Sequence, residues 1–499
     1  MFRSIYPPRR LVLAAACAFV LSSCASTEGL TTQSHMRDAG SLSANAALGK
    51  VAVSDAAWPD DHWWTTLGDP QLDALIDEAL AASPAIDAAD ARTRKAIAQS
   101  GLADAMRKPT LGAGAQVLGL QIPETLAGPD LGGHFSVAEL LTLSLKYNPD
   151  LWGVDKSKWQ AAVGNARASE VDAQAARLTL AANIARTYVA LAQAFDGLDA
   201  ANAETTRADA LITLNQQRIK AGLDNTIALN QNRSTSASAK QQALAAQQQV
   251  DALRNALAAL AGAGPDRGLQ IDRPKLATPN LTLPSLLSSD LLARRADIVA
   301  ARWRVAAAAH GIDASKAAFY PTINLNMLVG LAAGNLGDLF GSNALLVNGG
   351  PGLTLPIFEG GRLRNQLMAS NADYDLAVAS YNQTLLGAIH EVTDAMQAAR
   401  ALDAQIVTTR QARETAGKAH ALVQQRYRAG LATQLDVLAA QRPLLQLDQQ
   451  LAALNAKRRT AAIDLDQALG GGIAVSGAAV SGAAASAATA SAPTPIAPN

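Results

Sequence analysis

The chain has 499 residues, and its 42 basic and 42 acidic side chains cancel to a formal net charge of zero. That balance excludes a nucleic-acid binder built on a basic face. Charged residues make up 17%, aromatics 4% and apolar residues 49%. Much of the apolar share is alanine, which favours long, closely packed helices over a wide aromatic core.

Arg3, Arg9 and Arg10 form a basic n-region, and Leu11 to Val20 form a short apolar stretch. Such a run is too short to span a bilayer but suits a secretory signal over residues 1–23. It ends in Leu21-Ser22-Ser23-Cys24, which resembles a bacterial lipobox. The resemblance implies cleavage before Cys24 and acylation of its thiol. Cys17 leaves with the signal, so the mature chain keeps one cysteine, capped by lipid. That rules out a disulfide scaffold. Losing three arginines leaves a mature charge of −3, still near neutral. Ala25 follows the cysteine where an aspartate would mark inner-membrane retention, so the outer membrane is expected. Residues 24–62, rich in Ser, Thr, Gly and Ala, read as a lipidated tether.

The body of the chain is written twice. Gln216 to Leu223 returns as Gln424 to Leu431, an offset of 208 residues from Gly222 to Gly430. Pro109-Thr110-Leu111 returns as Pro321-Thr322-Ile323, an offset of 212. So long a period excludes a solenoid and defines a doubled domain, with repeats at 63–287 and 288–472. Each repeat opens with a helical segment, Asp69 to Arg107 and Ser288 to Phe319. Two strand-like runs around a Gly-rich loop follow, and then a very long proline-poor helical stretch. Gly222 and Gly430 interrupt these stretches after Lys220 and Arg428, the pattern of a helix end. Each stretch therefore reads as a hairpin with its tip at that glycine. The first arm, 153–220, should be about 100 Å long at 1.5 Å per residue. Along it Leu178, Ala181, Ala185, Tyr188 and Ala192 form a narrow apolar stripe. Pro443 should kink the last arm. The uncharged tail 473–499 reads as disordered.

Thr322 to Leu331 alternates, with Ile323, Leu325, Met327, Val329 and Leu331 opposed to Thr322, Asn324 and Asn326. Leu141, Leu143, Leu145 and Tyr147 oppose Thr142, Ser144 and Lys146, and Leu345 to Leu355 repeats the pattern. Thr110 to Leu120 is weaker and Gly-rich. This periodicity suits a half-buried sheet or the wall of a membrane barrel. Four strands cannot close a barrel, so an inserted wall needs eight strands from two chains or twelve from three.

Several runs together resemble the TolC-like outer-membrane efflux proteins, in particular the NodT-type lipoproteins. They are Trp63-Trp64-Thr65-Thr66-Leu67-Gly68-Asp69-Pro70-Gln71-Leu72-Asp73, Leu291-Leu292-Ala293-Arg294-Arg295-Ala296-Asp297-Ile298, Leu355-Pro356-Ile357-Phe358-Glu359-Gly360-Gly361-Arg362 and Arg426-Tyr427-Arg428-Ala429-Gly430-Leu431. The resemblance covers Trp63 to Gly472. It implies a mainly α chain with a transmembrane β part, in which four strands per protomer build a trimeric twelve-stranded β-barrel. The helical hairpins then form an α-barrel tunnel into the periplasm. It further implies a passive efflux duct for drugs and toxic compounds, served by a periplasmic adaptor and an inner-membrane pump. On it, Gly222, Leu223, Gly430 and Leu431 are adaptor-docking tips, and Tyr427, Leu435, Asp436 and Arg442 form the periplasmic gate. Two departures weaken a gate of many carboxylates: Ala228 and Ala439 stand where some relatives have aspartate. Arg294, Arg295 and Asp297 are expected to cap and pack a helix start.

The six histidines lack metal-ligand spacing, and no serine sits in a nucleophile elbow. No catalytic residue, metal or cofactor is expected beyond the lipid on Cys24. The alternatives are a duct for protein secretion or metal-ion efflux, or a periplasmic adaptor lipoprotein with a single hairpin.

Overall fold

The computed structural model describes residues 27–42, 58–121, 123–128, 133–279 and 294–472. The signal peptide, Cys24, Leu291 to Ala293 and the tail 473–499 lie outside the described residues. Seven helices carry the architecture: α1 (Pro70–Ala82), α2 (Pro84–Ala105), α3 (Val154–Lys220), α4 (Thr226–Leu260), α5 (Ala296–Ala317), α6 (Arg362–Arg428) and α7 (Gln434–Ala468). Four strands, β1 (Thr110–Gln121), β2 (Phe135–Tyr147), β3 (Thr322–Ala333) and β4 (Leu345–Thr354), form one sheet.

The duplication is visible in the element lengths. Helices α2 and α5 each have 22 residues, α3 and α6 each have 67, and α4 and α7 each have 35. At 1.5 Å per residue the two longest run for about 100 Å. Both start after a left-handed glycine, Gly153 (φ 79°) and Gly361 (φ 85°). A side chain there would be strained, so glycine sets the same sharp entry into each long helix.

Helix α3 is accompanied by α2 over its half nearer the sheet and by α4 over the other half, and α6 is accompanied in the same way by α5 and α7. On its other side α3 packs against α5 and α7, which joins the repeats. The protomer is therefore an open layer of helices, edged by α2 and α4 on one side and α6 on the other.

The largest core lies at the middle of α3. Leu180, Ile184, Tyr188 and Leu191 meet Leu72, Leu75 and Ile76 of α1, Trp63, Trp64 and Leu67 before it, and Val250, Leu257 and Ile271. Of the apolar stripe expected on α3, Ala181, Ala185, Tyr188 and Ala192 are buried and Leu178 packs against that core. Asp69 organises the site: its carboxylate accepts from Gln71 N–H (3.0 Å), Tyr188 Oη (2.8 Å) and Lys275 N–H (2.7 Å). Burial pushes the Tyr188 phenol well above its ordinary range.

Two expectations need correction. The single helix read over Asp69 to Arg107 is broken at Ser83, because Pro84 lacks the N–H that would continue α1 and instead starts α2. The expected tether is, over residues 27–42, a packed strap in the groove between α5 and α6. Leu30 packs with Phe319, Leu363 and Leu367 near the sheet, and Met36 and Leu42 pack further along with Val378, Tyr381 and Leu385. Helix α7 continues through Pro443. Pro443 and Ala439, whose carbonyl it leaves unpaired, are both exposed, so water can take up the lost bond. The weak run at Thr110 forms a full twelve-residue strand, since glycine-rich chain still pairs where a neighbouring strand supplies the register.

Candidate functional site: the strand wall and the hairpin tips

The sheet is an antiparallel meander in chain order, and β2–β3 pairing joins the repeats. Its register sorts side chains onto two faces. Leu111, Val117, Leu141, Leu143, Leu145, Met327, Val329, Leu331, Leu345, Val347 and Leu353 share one face. Ser144 and every Asn, Thr and Lys of the four strands lie on the other. The apolar side chains remain largely exposed, and among the described residues the outer edges of β1 and β4 have no strand beside them. No described helix is long and apolar enough to cross a membrane. At the helix-proximal end of the sheet Trp152 stacks on Tyr320 (4.8 Å) and donates from Nε1 to Pro321 O (2.7 Å). Paired amphipathic rings of this kind suit a membrane–water boundary.

At the opposite end of the helices the two tips are built alike. Gly222 (φ 69°) and Gly430 (φ 74°) are left-handed. Leu223 N–H donates to Arg218 O and Leu431 N–H to Arg426 O, each at 2.8 Å, with Gly222 N–H to Ile219 O and Gly430 N–H to Tyr427 O at 3.0 Å. This paired closure usually tucks the residue after the glycine against an apolar partner one turn back. Here that partner is an arginine, and Leu223 and Leu431 stay 68% and 70% exposed. Two apolar side chains are thus held outward at the extreme end of the protomer.

The gate residues lie on the second hairpin. Tyr427 is 43% and Leu435 46% exposed, close to the tip. Asp436 closes a capping box: its Oδ2 accepts from Thr433 N–H (2.8 Å) and Thr433 Oγ1 (2.7 Å), and its own N–H donates to Thr433 Oγ1. The Thr433 N–H, then its hydroxyl, hold the Asp436 carboxyl below the usual carboxylate range. Arg442 stands apart from these three, two turns up α7, beside Glu204 of α3. Hence Tyr427, Leu435 and Asp436 are gathered near one tip, while Arg442 belongs to the contact between hairpins.

That contact contains a residue that sequence reading missed. Arg207 is buried on α3, binds Glu204 through Nε (2.7 Å) and Nη2 (2.6 Å), and points Nη1 at Leu438 O of α7 (3.4 Å). The Arg207 hydrogen bonds hold the Glu204 carboxyl below its ordinary range. Nothing in the sequence marks Arg207, because its partner on α7 is a backbone carbonyl 231 residues away. Arg295 packs the helix start as expected, but its own side chain does not cap it. It is buried, pairs with Asp297 (2.6 Å) and Glu391 (2.7 Å), and donates to Ala468 O (3.0 Å), while Asp297 also accepts from Ile298 N–H.

The comparisons agree with this geometry. The family model described as outer membrane efflux protein matches residues 75–263 and 287–471, one stretch in each repeat. The chain is 38% identical over 365 residues to the fusaric acid resistance protein FusA of Burkholderia cepacia, covering 72% of this chain and 68% of that one. It is 30% identical over 437 residues to the multidrug resistance outer membrane protein MdtP of Escherichia coli strain K12, covering 85% and 88%. Among solved structures, the outer membrane protein VceC of Vibrio cholerae superposes with a TM-score of 0.76 at 36% identity, over 83% of this chain and all of that one. With a duplicated strand–hairpin plan, a two-faced sheet and matches across both repeats, the chain belongs to the outer membrane efflux protein family and is an efflux channel of the outer membrane.

Proposed function

We propose that three copies of the chain close into one duct, a twelve-stranded barrel in the outer membrane continued by a helical tunnel in the periplasm. The observation that carries this is the open sheet with one apolar face. Lipid cannot satisfy the edges of β1 and β4, and four strands fall short of the roughly eight that the smallest barrels use. The helical layer supports the same closure. Exposed Met368, Leu376, Leu386, Val407 and Leu422 on α6 match exposed Ile97 and Leu102 on α2, Met106 just after it, and Ile227 and Leu244 on α4. Those are the edges that neighbouring copies would cover. The family resemblance favours three copies over two.

Lipid on Cys24 fits the strap. Leu30 packs beside the sheet end, so a cysteine six residues earlier is within reach of the membrane surface. Gly222, Leu223, Gly430 and Leu431 form the adaptor-docking surface, with an inner-membrane pump behind the adaptor. Tyr427, Leu435 and Asp436 line the periplasmic constriction, and Arg442 steadies the hairpin contact above it. The chain itself is not an enzyme: it supplies a path, and its partners supply the energy. The cargo is small organic toxicants, the class named for FusA and MdtP; secreted protein and metal ions are the less favoured cargoes. A single-hairpin adaptor is disfavoured by two hairpins of equal length and a four-stranded sheet.

The test combines assembly, conductance and resistance. The purified protein should run as a trimer in mild detergent and form pores in planar bilayers. Removing the gene should lower resistance to several drugs at least fourfold. Leu223→Asp with Leu431→Asp should reproduce that loss while trimers and pores persist. Monomers without conductance would reject the duct, and full resistance in the double variant would reject the docking surface.

A further inference from the structure

Only two residues of the four strands carry a formal charge, and the register puts them on opposite faces. Glu139 lies on the apolar face between Val117 and Ala333. Lys146 lies on the polar face at the end nearest the helices, where the cross-strand row reads Thr110, Lys146, Asn326, Gly350. The next row on this face is Gly112, Ser144, Leu328 and Asn348. Neither row offers a carboxylate. The lysine side chain is exposed and makes no ion pair among the described residues. The acidic groups that follow it in sequence are engaged elsewhere: Asp150 accepts Lys156 N–H (2.7 Å) and Asp155 pairs with Lys158 (3.4 Å). Glycines at 112, 114, 350 and 352 keep the surrounding wall low, so the ammonium stands clear of it.

We propose that Lys146 is a specificity-determining residue. Three copies form a basic collar at the inner mouth of the barrel that favours anionic organic solutes, carboxylates above all, over cations. This rests on the trimeric duct, which turns the polar face inward. A neighbour directly across the ladder sits about 5 Å away at Cβ. A unit charge about 6 Å from a second one in water changes its local concentration about threefold. The ratio of an anion to a cation therefore changes about tenfold, and molar salt removes the effect.

The experiment reads that local potential with reagents that need not pass the periplasmic gate. Asn326→Cys places a thiol beside Lys146, and anionic and cationic methanethiosulfonates of similar size are added from the extracellular side to trimers in liposomes at low salt. The unsubstituted protein sets the background. The anion-to-cation ratio of labelling rates should fall about tenfold when Lys146→Gln is added, and the difference should vanish in 1 M salt. Equal ratios with and without Lys146, in trimers that conduct, overturn the collar and leave the duct standing. A thiol that neither reagent reaches, in trimers that do not conduct, overturns the duct and the collar with it.

Discussion

Asp466 shows how one side chain can make a whole assembly sensitive to pH. It sits near the end of α7 beside buried Ala462, Ile463 and Leu465, and burial alone pushes its carboxyl up to about 7. In an unfolded chain an aspartate titrates near 3.9. The folded state therefore holds the proton more tightly, and the neutral form is the one the fold accommodates. Its contribution is undiminished below about pH 4, is lost progressively as pH rises through the window to about 7, and is constant above that. Each unit of upward shift withdraws about 1.4 kcal/mol. Melting temperature should thus fall between pH 4 and 7, and Asp466→Asn should flatten that slope and raise the midpoint at pH 8. Asp73 and Asp172 are shifted upward chiefly by burial as well, so a smaller slope should remain. An Asp466→Asn protein with the parent's full slope would show that the carboxylate is hydrated in the assembly.

The elements were legible where a local signal is strong. Glycine after a basic turn located both hairpin tips, because only a left-handed residue closes a helix that way. Period-two alternation placed the strands and their faces. What the sequence hid was set by distant partners. The strap at 27–42 has a linker's composition, yet the backbone N–H groups of Gln33 and Ser34 bind the Asp375 carboxylate (3.0 and 2.8 Å). Arg207 and the Tyr188–Asp69 pair likewise depend on contacts more than a hundred residues apart. Asp436 is half legible: the tip glycine places it at the start of α7, while its role in a capping box with Thr433 rests on a local pairing that the gate reading does not use. The two roles separate by mutation. Thr433→Ala should cost about 1 kcal/mol of local stability and speed amide exchange across the first turn of α7. It should leave pore selectivity unchanged, since the carboxylate remains. Asp436→Ala should speed exchange similarly and also lower cation preference at the constriction. Equal selectivity in both variants would confine Asp436 to capping.

At the scale of the molecule, the strap connects the membrane end of the helical layer to its middle. Leu30 lies against the sheet end of α5 and α6, Met36 and Leu42 lie further down the same groove, and Trp58 packs on Val392, Met396 and Leu465. Between them Arg37 N–H donates to Asn382 Oδ1 (2.8 Å), and Asn382 Nδ2 donates to His35 O (2.9 Å). A lipid on Cys24 would fix one end of this segment in the membrane while Met36 and Leu42 hold the other against Val378, Tyr381 and Leu385. Insertion itself does not need that lipid, because a twelve-stranded apolar wall buries far more surface than a few acyl chains. Cys24→Ser should therefore abolish incorporation of labelled palmitate while trimers remain in the outer-membrane fraction. The groove is held instead by its polar clasps. Removing the Asp375 carboxylate and the Asn382 amide strands several backbone groups, at about 1–3 kcal/mol each where they are shielded from water. Asp375→Ala with Asn382→Ala should free the strap, and trypsin should then cut at Arg37 in intact trimers, where the parent resists. Rapid cleavage at Arg37 in the parent would mean that the strap is not docked in the assembly, and the staple between membrane and core would have to be given up.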